Sequence, residues 1–260
     1  MNMNSDLGRK FASAAFIIGL FLLWEALCLA FHVSDVILPR PSQVFYTMWE
    51  KAPALWPHTV QTLYTTMVGF VFGVAIGVII GVIVGWSKLA YDVAYPLLVG
   101  FSSVPKVAVV PILVLYLGSG TVPAIITALI TCLFPVVVNV ATGLATTEPE
   151  LEDVMKALKA TKFDILWNVG LPRTMPYFFA SLKVAITLAF VGSVISETVA
   201  SNRGIGTMMM IASANFDVPL VFAGVFILAA LGVLLYAIFS LVEGRVTGWA
   251  TRKTEFAMGP

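Results

Sequence analysis

Six long apolar stretches constrain the fold of this chain more than any other feature. They lie at about residues 11–31, 60–86, 91–117, 122–145, 174–199 and 217–243. A helix needs about 20 apolar residues to cross the hydrocarbon core of a bilayer, which is about 30 Å thick, and each stretch is long enough. The sequence therefore predicts an all-α integral membrane protein with six transmembrane helices.

The overall composition agrees with a membrane protein and excludes several other classes. Charged residues make up 11% of the chain and hydrophobic residues 59%, whereas soluble domains carry about a quarter charged residues. The net charge of +1 gives no reason to expect a nucleic-acid partner. No linker or tandem repeat divides the chain, so residues 1–260 are predicted to form a single transmembrane domain.

Lysines and arginines predict which loops face the cytoplasm, because cytoplasmic loops of membrane proteins carry an excess of them. With both termini inside, the inside segments contain ten of these residues: Arg9, Lys10, Lys88, Lys156, Lys159, Lys162, Arg173, Arg245, Arg252 and Lys253. The outside segments contain three: Arg40, Lys51 and Arg203. The sequence therefore predicts that both termini are cytoplasmic.

The second apolar stretch carries a glycine at every fourth position. These glycines are Gly69, Gly73, Gly77, Gly81 and Gly85. In lipid, small residues let two helix backbones approach closely, and such packing contributes strongly to helix association. The ridge predicts a packing groove within the subunit, with a subunit interface or a lining of the transport path as the alternatives.

The inside loop at residues 146–173 is long, polar and patterned as a helix-turn-helix. Thr147 and Glu150 have the spacing of a capping box, which predicts the start of a helix. The next apolar residues form one stripe at helical spacing: Leu151, Val154, Met155 and Leu158. Thr161 predicts the start of a second short helix, which we expect to end at Leu171–Pro172.

Two roles are open to this helix pair on its sequence pattern. An amphipathic pair can lie in the lipid headgroup layer, where its polar face is usually rich in basic residues. Here the polar face mixes acids with bases, which is more typical of a segment that docks into a groove of another protein. The pattern therefore slightly favours docking.

The same loop resembles the cytoplasmic loop of ABC-importer permeases. That signature reads Glu-Ala-Ala, three residues, Gly, nine residues, Ile, one residue and Leu-Pro. The present sequence has Asp153-Val154-Met155 at its start, Lys159 at the glycine position and Leu171–Pro172 at its end, with the same spacing. Because lysine disfavours the left-handed turn that glycine permits, either the turn is built differently here or Lys159 contacts the partner.

Other regions are similar to the nitrate, sulfonate and taurine permeases within that family. Residues 38–44 match their Leu-Pro-x-Pro-x-x-Val motif, and residues 103–120 and 134–139 match their middle region. Residues 195–206 are similar to the region after their fifth span. The resemblance covers about residues 36 to 240.

The resemblance implies an assembly and a set of contact residues. It implies a homodimer of this permease in the bacterial cytoplasmic membrane, with two ATP-binding subunits below and a substrate-binding protein outside. The solute would be a small polar anion such as nitrate, a sulfonate or taurine, or a pyrimidine or aromatic compound. The residues that would couple to the ATPase are Glu150, Asp153, Val154, Met155, Leu158, Lys159, Leu171 and Pro172.

The sequence supports the need for a separate motor subunit. It contains no Gly-x-x-x-x-Gly-Lys-Ser/Thr motif with which to hold a nucleotide phosphate. We therefore expect no cofactor, metal or catalytic residue in this chain, and ATP and Mg²⁺ bound by the partner. The alternative function, a self-contained secondary transporter or channel, predicts internal inverted repeats, and no convincing repeat is present.

Three charged residues inside or at the ends of the apolar stretches are candidates for a further role. Lys106 follows Pro105, where freed backbone carbonyls can hold a cation locally; attraction of an anionic solute is the alternative. Glu197, near the outer end of the fifth stretch, is read either as a solvated acid or as part of a gate or receptor contact. Lys183 is expected to extend to the headgroups.

Overall fold

The computed structural model describes residues 3–247, and every regular element in that part of the chain is helical. The helices are α1 (Met3–Ala30), α2 (Pro41–Glu50), α3 (Ala52–Gly85), α4 (Lys88–Ser102), α5 (Val110–Leu117), α6 (Thr121–Ala145), α7 (Pro149–Ala157), α8 (Lys162–Ile165), α9 (Leu171–Ala200), α10 (Ile205–Ala214) and α11 (Val218–Val246). Two of the predicted inside cations, Arg252 and Lys253, lie outside the described residues.

Five helical segments are long and apolar enough to cross a membrane: Phe11–Ala30, Ala52–Gly85, Thr121–Ala145, Lys162–Ala200 and Val218–Val246. The predicted span at 91–117 is instead two helices, α4 and α5, that are bent by 76° at a break. A 3₁₀ turn at Lys106–Val109 precedes α5. The prolines that interrupt this stretch in the sequence therefore mark a broken helix.

The bent pair returns the chain across the bundle. Gln61, near the start of α3, donates to Thr121 at the start of α6 (3.0 Å), and Gly85 at the end of α3 packs on Leu144 near the end of α6. Helices α3 and α6 are therefore parallel, and α4 and α5 connect the end of one to the start of the other. Counted as one span, the pair completes the six spans that the sequence predicts.

The five glycines of α3 face α6 within the same chain. In order, they pack against residues of α6 that are also four apart: Ala128, Cys132, Val136, Val140 and Leu144. A Cβ added at Gly69 would lie 2.5 Å from the Cβ of Ala128, and one at Gly77 would lie 2.9 Å from the Cβ of Val136. The groove is intramolecular, and it brings the two backbones closer than larger residues would allow.

The core lies between α3, α6 and α9, with α6 in the middle. Its buried apolar side chains include Phe70, Val136, Val140, Ala185, Ile186 and Ala189. Helix α9 runs antiparallel to α6, because Thr174 near its start packs on Gly143 and Gly192 near its end packs on Thr131. These three helices form the rigid centre of the subunit.

Helix α1 lies at the edge and is held by aromatic rings. Phe21 and Trp24 contact Phe226 of α11 with ring centroids 5.7 and 6.1 Å apart. Glu25 also accepts hydrogen bonds from the backbone N–H (3.0 Å) and the hydroxyl (2.7 Å) of Ser42, in the first turn of α2. A carboxylate from one helix therefore caps the N-terminus of the next.

The structure adds two helices to the loops predicted outside. Helix α2 lies in the segment 32–59, and α10 lies in the segment 200–216. We call the end of the bundle near Gly85 and Leu144 the loop end, because α7 and α8 lie there. The end near Gln61 and Thr121, where α2 and α10 lie, is the opposite end.

Candidate coupling surface and transport path

Helices α7 and α8 form a helix-turn-helix between α6 and α9, as the sequence predicts. The predicted capping box of α7 is wrong, however. The N-cap is Glu148, which makes no side-chain cap, and the Thr147 hydroxyl donates to the carbonyl of Leu144 (2.9 Å). Because Pro149 takes the first helical position, Thr147 lies one residue too early to cap the helix.

The second helix has the reciprocal capping box. Thr161 Oγ1 accepts from the Asp164 N–H (3.2 Å), and Asp164 Oδ2 accepts from the Thr161 N–H (2.8 Å). The expectation that this helix ends at Leu171–Pro172 is wrong. A π-helical turn at Leu166–Gly170 leads directly into α9, and Pro172 lies in the first turn, where a missing N–H is tolerated. Helix α9 is therefore continuous with the loop.

Lys159 takes the conformation that glycine usually provides in the family's loop. Its φ is +58°, the Ala160 N–H donates to the carbonyl of Met155 (3.0 Å), and the Lys159 N–H donates to that of Lys156 (2.9 Å). This is the Schellman arrangement that ends many helices in a left-handed residue. The alternative that the turn is built differently is wrong, and the Lys159 side chain is left exposed.

Large apolar side chains are exposed on the helix pair. Val154 is 58% exposed, Leu158 74%, Phe163 62% and Trp167 63%. The rings of Phe163 and Trp167 stack with centroids 6.3 Å apart. We call these four residues the coupling surface. Exposed apolar clusters of this kind mark sites of interaction with protein or lipid.

The other residues predicted on the loop are divided between its surface and its base. Glu150, Asp153 and Pro172 are exposed, whereas Met155 and Leu171 are half-buried. The predicted apolar stripe is therefore divided, with Met155 turned away from solvent and Val154 and Leu158 turned toward it. The structure brings α7 and the start of α9 together through an ion pair between Glu148 and Arg173 (2.7 Å).

Acidic neighbours hold one of the loop cations. Lys156 contacts Glu152 (3.2 Å) and Asp153 (3.3 Å). The hydrogen bond with Glu152, followed by that with Asp153, raises the pKa of the Lys156 ammonium above its ordinary value. Asp153 is thus both exposed and engaged with a neighbour on its own helix.

Lys106 lies at the break between α4 and α5, and its charge is held locally. Its Nζ donates to the carbonyl of Ser102 and lies 5.6 Å from the ring centroid of Phe134, within the range of a cation–π contact. The side chain is half-buried. A helix break therefore supplies the carbonyl that the sequence suggested for this cation.

Glu197 is buried, with 1% of its surface exposed, so its interpretation as a solvated acid is wrong. One carboxylate oxygen accepts from the Thr62 hydroxyl (2.8 Å) and the Gly206 N–H (3.2 Å), and the other accepts from the Thr65 hydroxyl (3.3 Å). In this conformation the carboxylate touches neither solvent nor the outer surface.

Hydroxyl groups extend the network around this acid. The Thr62 hydroxyl accepts from the Ile205 N–H (2.9 Å), and the Thr65 hydroxyl contacts that of Ser193 (2.5 Å). Sequence reasoning did not single out Thr62, Thr65 or Ser193. The signal available was the cluster of threonines near the start of an otherwise apolar helix.

Lys183 is paired within the bundle. Its Nζ lies 2.5 Å from a carboxylate oxygen of Glu243 on α11, and the two side chains are 23% and 21% exposed. The expectation that Lys183 extends to the headgroups did not include this partner, which a neighbouring helix supplies near its end. Sequence reasoning did not connect the two residues.

Comparison with known proteins defines the class. The family described as "Binding-protein-dependent transport system inner membrane component" matches residues 73–248. A probable ABC transporter permease protein of Haemophilus influenzae is 31% identical, over 84% of this chain and 89% of that protein. The formylaminopyrimidine transport permease protein ThiX of Halalkalibacterium halodurans is 28% identical, over 92% of this chain and 95% of that protein.

A solved structure shares the fold. A chain of the MetNI methionine ABC transporter, in an inward-facing conformation, matches with a TM-score of 0.65 and 20% identity. The match covers 77% of this chain and 98% of that chain.

The helix-turn-helix between α6 and α9, the membrane-spanning bundle and these matches define a permease of the binding-protein-dependent transport systems. The chain belongs to the family of their inner membrane components. It is the transmembrane permease subunit of an ABC importer, which confirms the class that the sequence predicts.

Proposed function

We propose that two copies of this chain assemble with two ATP-binding subunits and an external substrate-binding protein. ATP and Mg²⁺ bind to the ATP-binding subunits, which carry out the hydrolysis, and this chain forms the translocation path. The absence of a nucleotide-phosphate motif from the sequence supports this division. So does the membership of a family whose named function is transport.

The coupling surface occupies a groove of the ATP-binding subunit. The single observation that carries this proposal is the exposure of Val154, Leu158, Phe163 and Trp167. Burying one large apolar side chain contributes about 1.5–3 kcal/mol, so four of them favour a covered state strongly. The residues proposed to form or support this contact are Glu150, Asp153, Val154, Met155, Leu158, Lys159, Leu171 and Pro172.

Helix α9 transmits motion of the loop into the membrane. It follows the loop without a break in the helix and has 30 residues, which corresponds to a length of about 45 Å. The Glu148–Arg173 ion pair and Pro172 tie its first turn to the loop. Closure of the ATP-binding subunits would draw the two loops together and tilt α9, which opens the path alternately to either side.

The loop end faces the cytoplasm, and both termini lie on that side of the bacterial inner membrane. The excess of lysine and arginine in the inside segments supports this orientation. The path would run at the interface of two copies. There Lys106, half-buried at the helix break, would attract anionic solutes. A gate role for Glu197 would act through the position of neighbouring helices, because its carboxylate is enclosed.

The solute is a small polar compound that the binding protein delivers. It is either an anion like nitrate, a sulfonate or taurine, or a pyrimidine or aromatic compound. The motifs at residues 38–44 and 103–120 support the first group, and the similarity to a formylaminopyrimidine permease supports the second. Uptake of labelled nitrate, taurine and formylaminopyrimidine by cells that express the whole transporter would separate the two.

The coupling proposal is tested by substituting Leu158, which is 74% exposed. Leu158→Asp should insert normally into the membrane but fail to co-purify with the ATP-binding subunit. Leu158→Met keeps the apolar volume, so this matched control should co-purify as the parent does. Retention of the ATP-binding subunit by Leu158→Asp would contradict the proposal. Solute movement by the purified chain alone in liposomes would favour a secondary transporter or channel.

A further inference from the structure

Glu197 is the only Asp, Glu, Lys or Arg that is buried within residues 8 and 11–247, for which burial is described. All three of its side-chain donors are uncharged: two threonine hydroxyls and one backbone N–H. Taking a carboxylate out of water is strongly unfavourable unless such donors replace the water. An apolar side chain would fill the site at a lower free-energy cost, which points to a role for the acid beyond stability.

The carboxylate caps the N-terminus of helix α10. The N-cap residue of that helix is Gly204, which has no side chain, and the Gly206 N–H in the first turn donates to Glu197 (3.2 Å). The Ile205 N–H donates to Thr62, which in turn donates to Glu197. Negative charge at a helix N-terminus is favourable because the free N–H groups and the helix dipole point toward it.

The approach of the two segments depends on glycine. Gly204 has a φ of +131°, and a Cβ there would lie 2.6 Å from a carboxylate oxygen of Glu197. A Cβ at Gly206 would lie 2.7 Å from the carbonyl oxygen of Val194. The Thr207 hydroxyl also donates to the Glu197 carbonyl (3.0 Å). The first turn of α10 is therefore bound directly to α9.

Helix α10 also packs on α11, and His58 of α3 lies 2.9 Å from the Gly204 carbonyl oxygen, so α9 is one of three helices that position it. Met209 of α10 contacts Gly224 of α11, and Met208 is buried in the same apolar cluster as Ile205 and Ala212. The contact with α11 is apolar, whereas the contact with α9 is made by hydrogen bonds to a charged group. Hydrogen bonds to a charged group are stronger than those between neutral groups.

We propose that Glu197 is a positioning residue that makes α10 follow α9 during transport. The inference rests on the proposed function, in which the ATP-binding subunits move α9 through the coupling surface. Glu197 lies near the far end of the same helix that begins at the loop, about 39 Å from Leu171 at 1.5 Å per residue. Motion imposed at the loop end therefore reaches α10 at the opposite end through this carboxylate.

Two variants weaken the network, and three controls match them. Glu197→Gln removes the charge, and Thr62→Val removes the hydroxyl that joins Glu197 to Ile205. Ser196→Ala and Thr66→Val remove hydroxyls that are buried at neighbouring positions but have no hydrogen-bond partner. Glu25→Gln removes the α1 carboxylate that caps the N-terminus of α2. This cap is of the same kind, but it joins a different pair of helices.

The measurement is a distance between α9 and α10 in the assembled transporter. Spin labels at Val199→Cys and Ile211→Cys, both exposed positions, would replace the native thiols of a Cys28→Ala, Cys132→Ala background. Labelled chain is diluted with unlabelled chain so that only distances within one subunit are recorded. The transporter is measured in nanodiscs, without nucleotide and after trapping with ATP and vanadate.

In the background protein and the three controls, the distance should be the same in both states. In Glu197→Gln and Thr62→Val it should change between the states, because α10 then stays with α11. Loss of one such hydrogen bond should raise the population of separated α10 about tenfold or more. Equal distances in all variants, or a change in the background protein itself, would overturn the inference.

The same experiment remains decisive if Glu197→Gln does not assemble. Thr62→Val leaves the carboxylate with its contacts to Thr65 and Gly206, and its behaviour against Thr66→Val then decides the question. If the proposed function itself is wrong, a different measurement shows it: Leu158→Asp would then still co-purify with the ATP-binding subunit. If the α9–α10 distances are equal in all variants and Leu158→Asp fails to co-purify with the ATP-binding subunit, only the role of Glu197 is overturned.

Discussion

The two ends of the helix bundle differ in how they hold a charged group. At the loop end, Leu158 and Trp167 are exposed, at 74% and 63% of their surfaces. At the opposite end, Glu197 is enclosed and receives hydrogen bonds from Thr62, Thr65 and Gly206. Apolar side chains are exposed at both ends, Trp49 at the opposite end among them, but the buried carboxylate of the described residues lies at the opposite end.

The opposite end differs from the loop end in the network that encloses its acid. The network around Glu197 satisfies its acid within one chain, so its stability requires no other molecule. Among the described residues nothing covers the coupling surface, and apolar groups gain free energy when they leave water. Both features agree with the proposal that the motor subunit binds at the loop end and that Glu197 transmits motion at the opposite end.

The largest expected effect comes from unpairing a charge inside the bundle. Glu243→Gln leaves the half-buried Lys183 without its partner. Removal of one member of a fully buried ion pair costs about 3–5 kcal/mol, and the exposure of about a fifth of each side chain places this loss toward the lower end of that range. Thermal unfolding of the purified subunit, followed by size-exclusion chromatography, measures the loss. The swapped pair Lys183→Glu with Glu243→Lys should recover most of the stability, and a swap no better than Glu243→Gln would contradict the pairing.

Tryptophans at the two ends give the next prediction. Trp167→Ala should weaken binding of the ATP-binding subunit by about 2–4 kcal/mol, because buried tryptophans dominate many protein interfaces. Trp49, which is 84% exposed on α2 at the opposite end, is the matched control, and Trp49→Ala should leave that affinity unchanged. Thermophoresis of the solubilised permease with the ATP-binding subunit measures both. An equal loss of affinity in Trp167→Ala and Trp49→Ala would contradict binding of the ATP-binding subunit at the loop end.

Between the ends, the glycine groove should tolerate no added methyl group. Gly69→Ala places a Cβ 2.5 Å from the Cβ of Ala128 and 2.6 Å from the carbonyl of Ile125, and overpacking of this kind costs about 1–3 kcal/mol. Gly100 has no neighbouring atom within 4 Å of an added Cβ, so Gly100→Ala should not destabilise the fold. Unfolding midpoints that are equal for both variants would contradict the close packing of α3 on α6.

The smallest effect is expected at the turn of the coupling loop. Lys159 has a positive φ, and a left-handed residue other than glycine costs about 1 kcal/mol. Lys159→Gly should therefore slow hydrogen exchange at the Ala160 amide, which closes the turn on Met155. Lys162→Gly, at the first position of α8, should bring no such protection. Faster exchange in Lys159→Gly would show that the lysine itself holds the turn.

The spans were predictable from the sequence because burial in lipid leaves a local signal. Long apolar runs predicted the segments of α3, α6, α9 and α11. Pro105 indicated freed backbone carbonyls beside Lys106, at the point where the third stretch is broken. Helices α2 and α10 were missed because each has only 10 residues, too short to give a transmembrane signal. Pro41, at the first position of α2, was the local sign of its start.

The partners of the buried charges were not predictable, because they come from distant parts of the chain. Glu197 and Thr62 are 135 residues apart in the sequence, and no local pattern joins them. The position of Glu197 near a span end suggested solvent, whereas the fold of α10 covers it. For Lys159, the sequence identified the position of the turn but not its backbone conformation. The positive φ of Lys159 shows that the turn is left-handed.

Photo-crosslinking from Leu158 would show whether the coupling surface contacts the ATP-binding subunit. A photoreactive amino acid at Leu158 would be activated in membranes that contain the whole transporter, with the same amino acid at Trp49 as the comparison. If the coupling surface lies in a groove of that subunit, position 158 should form a covalent adduct with it, and position 49 should form none. Adducts of position 158 with lipid alone would contradict it.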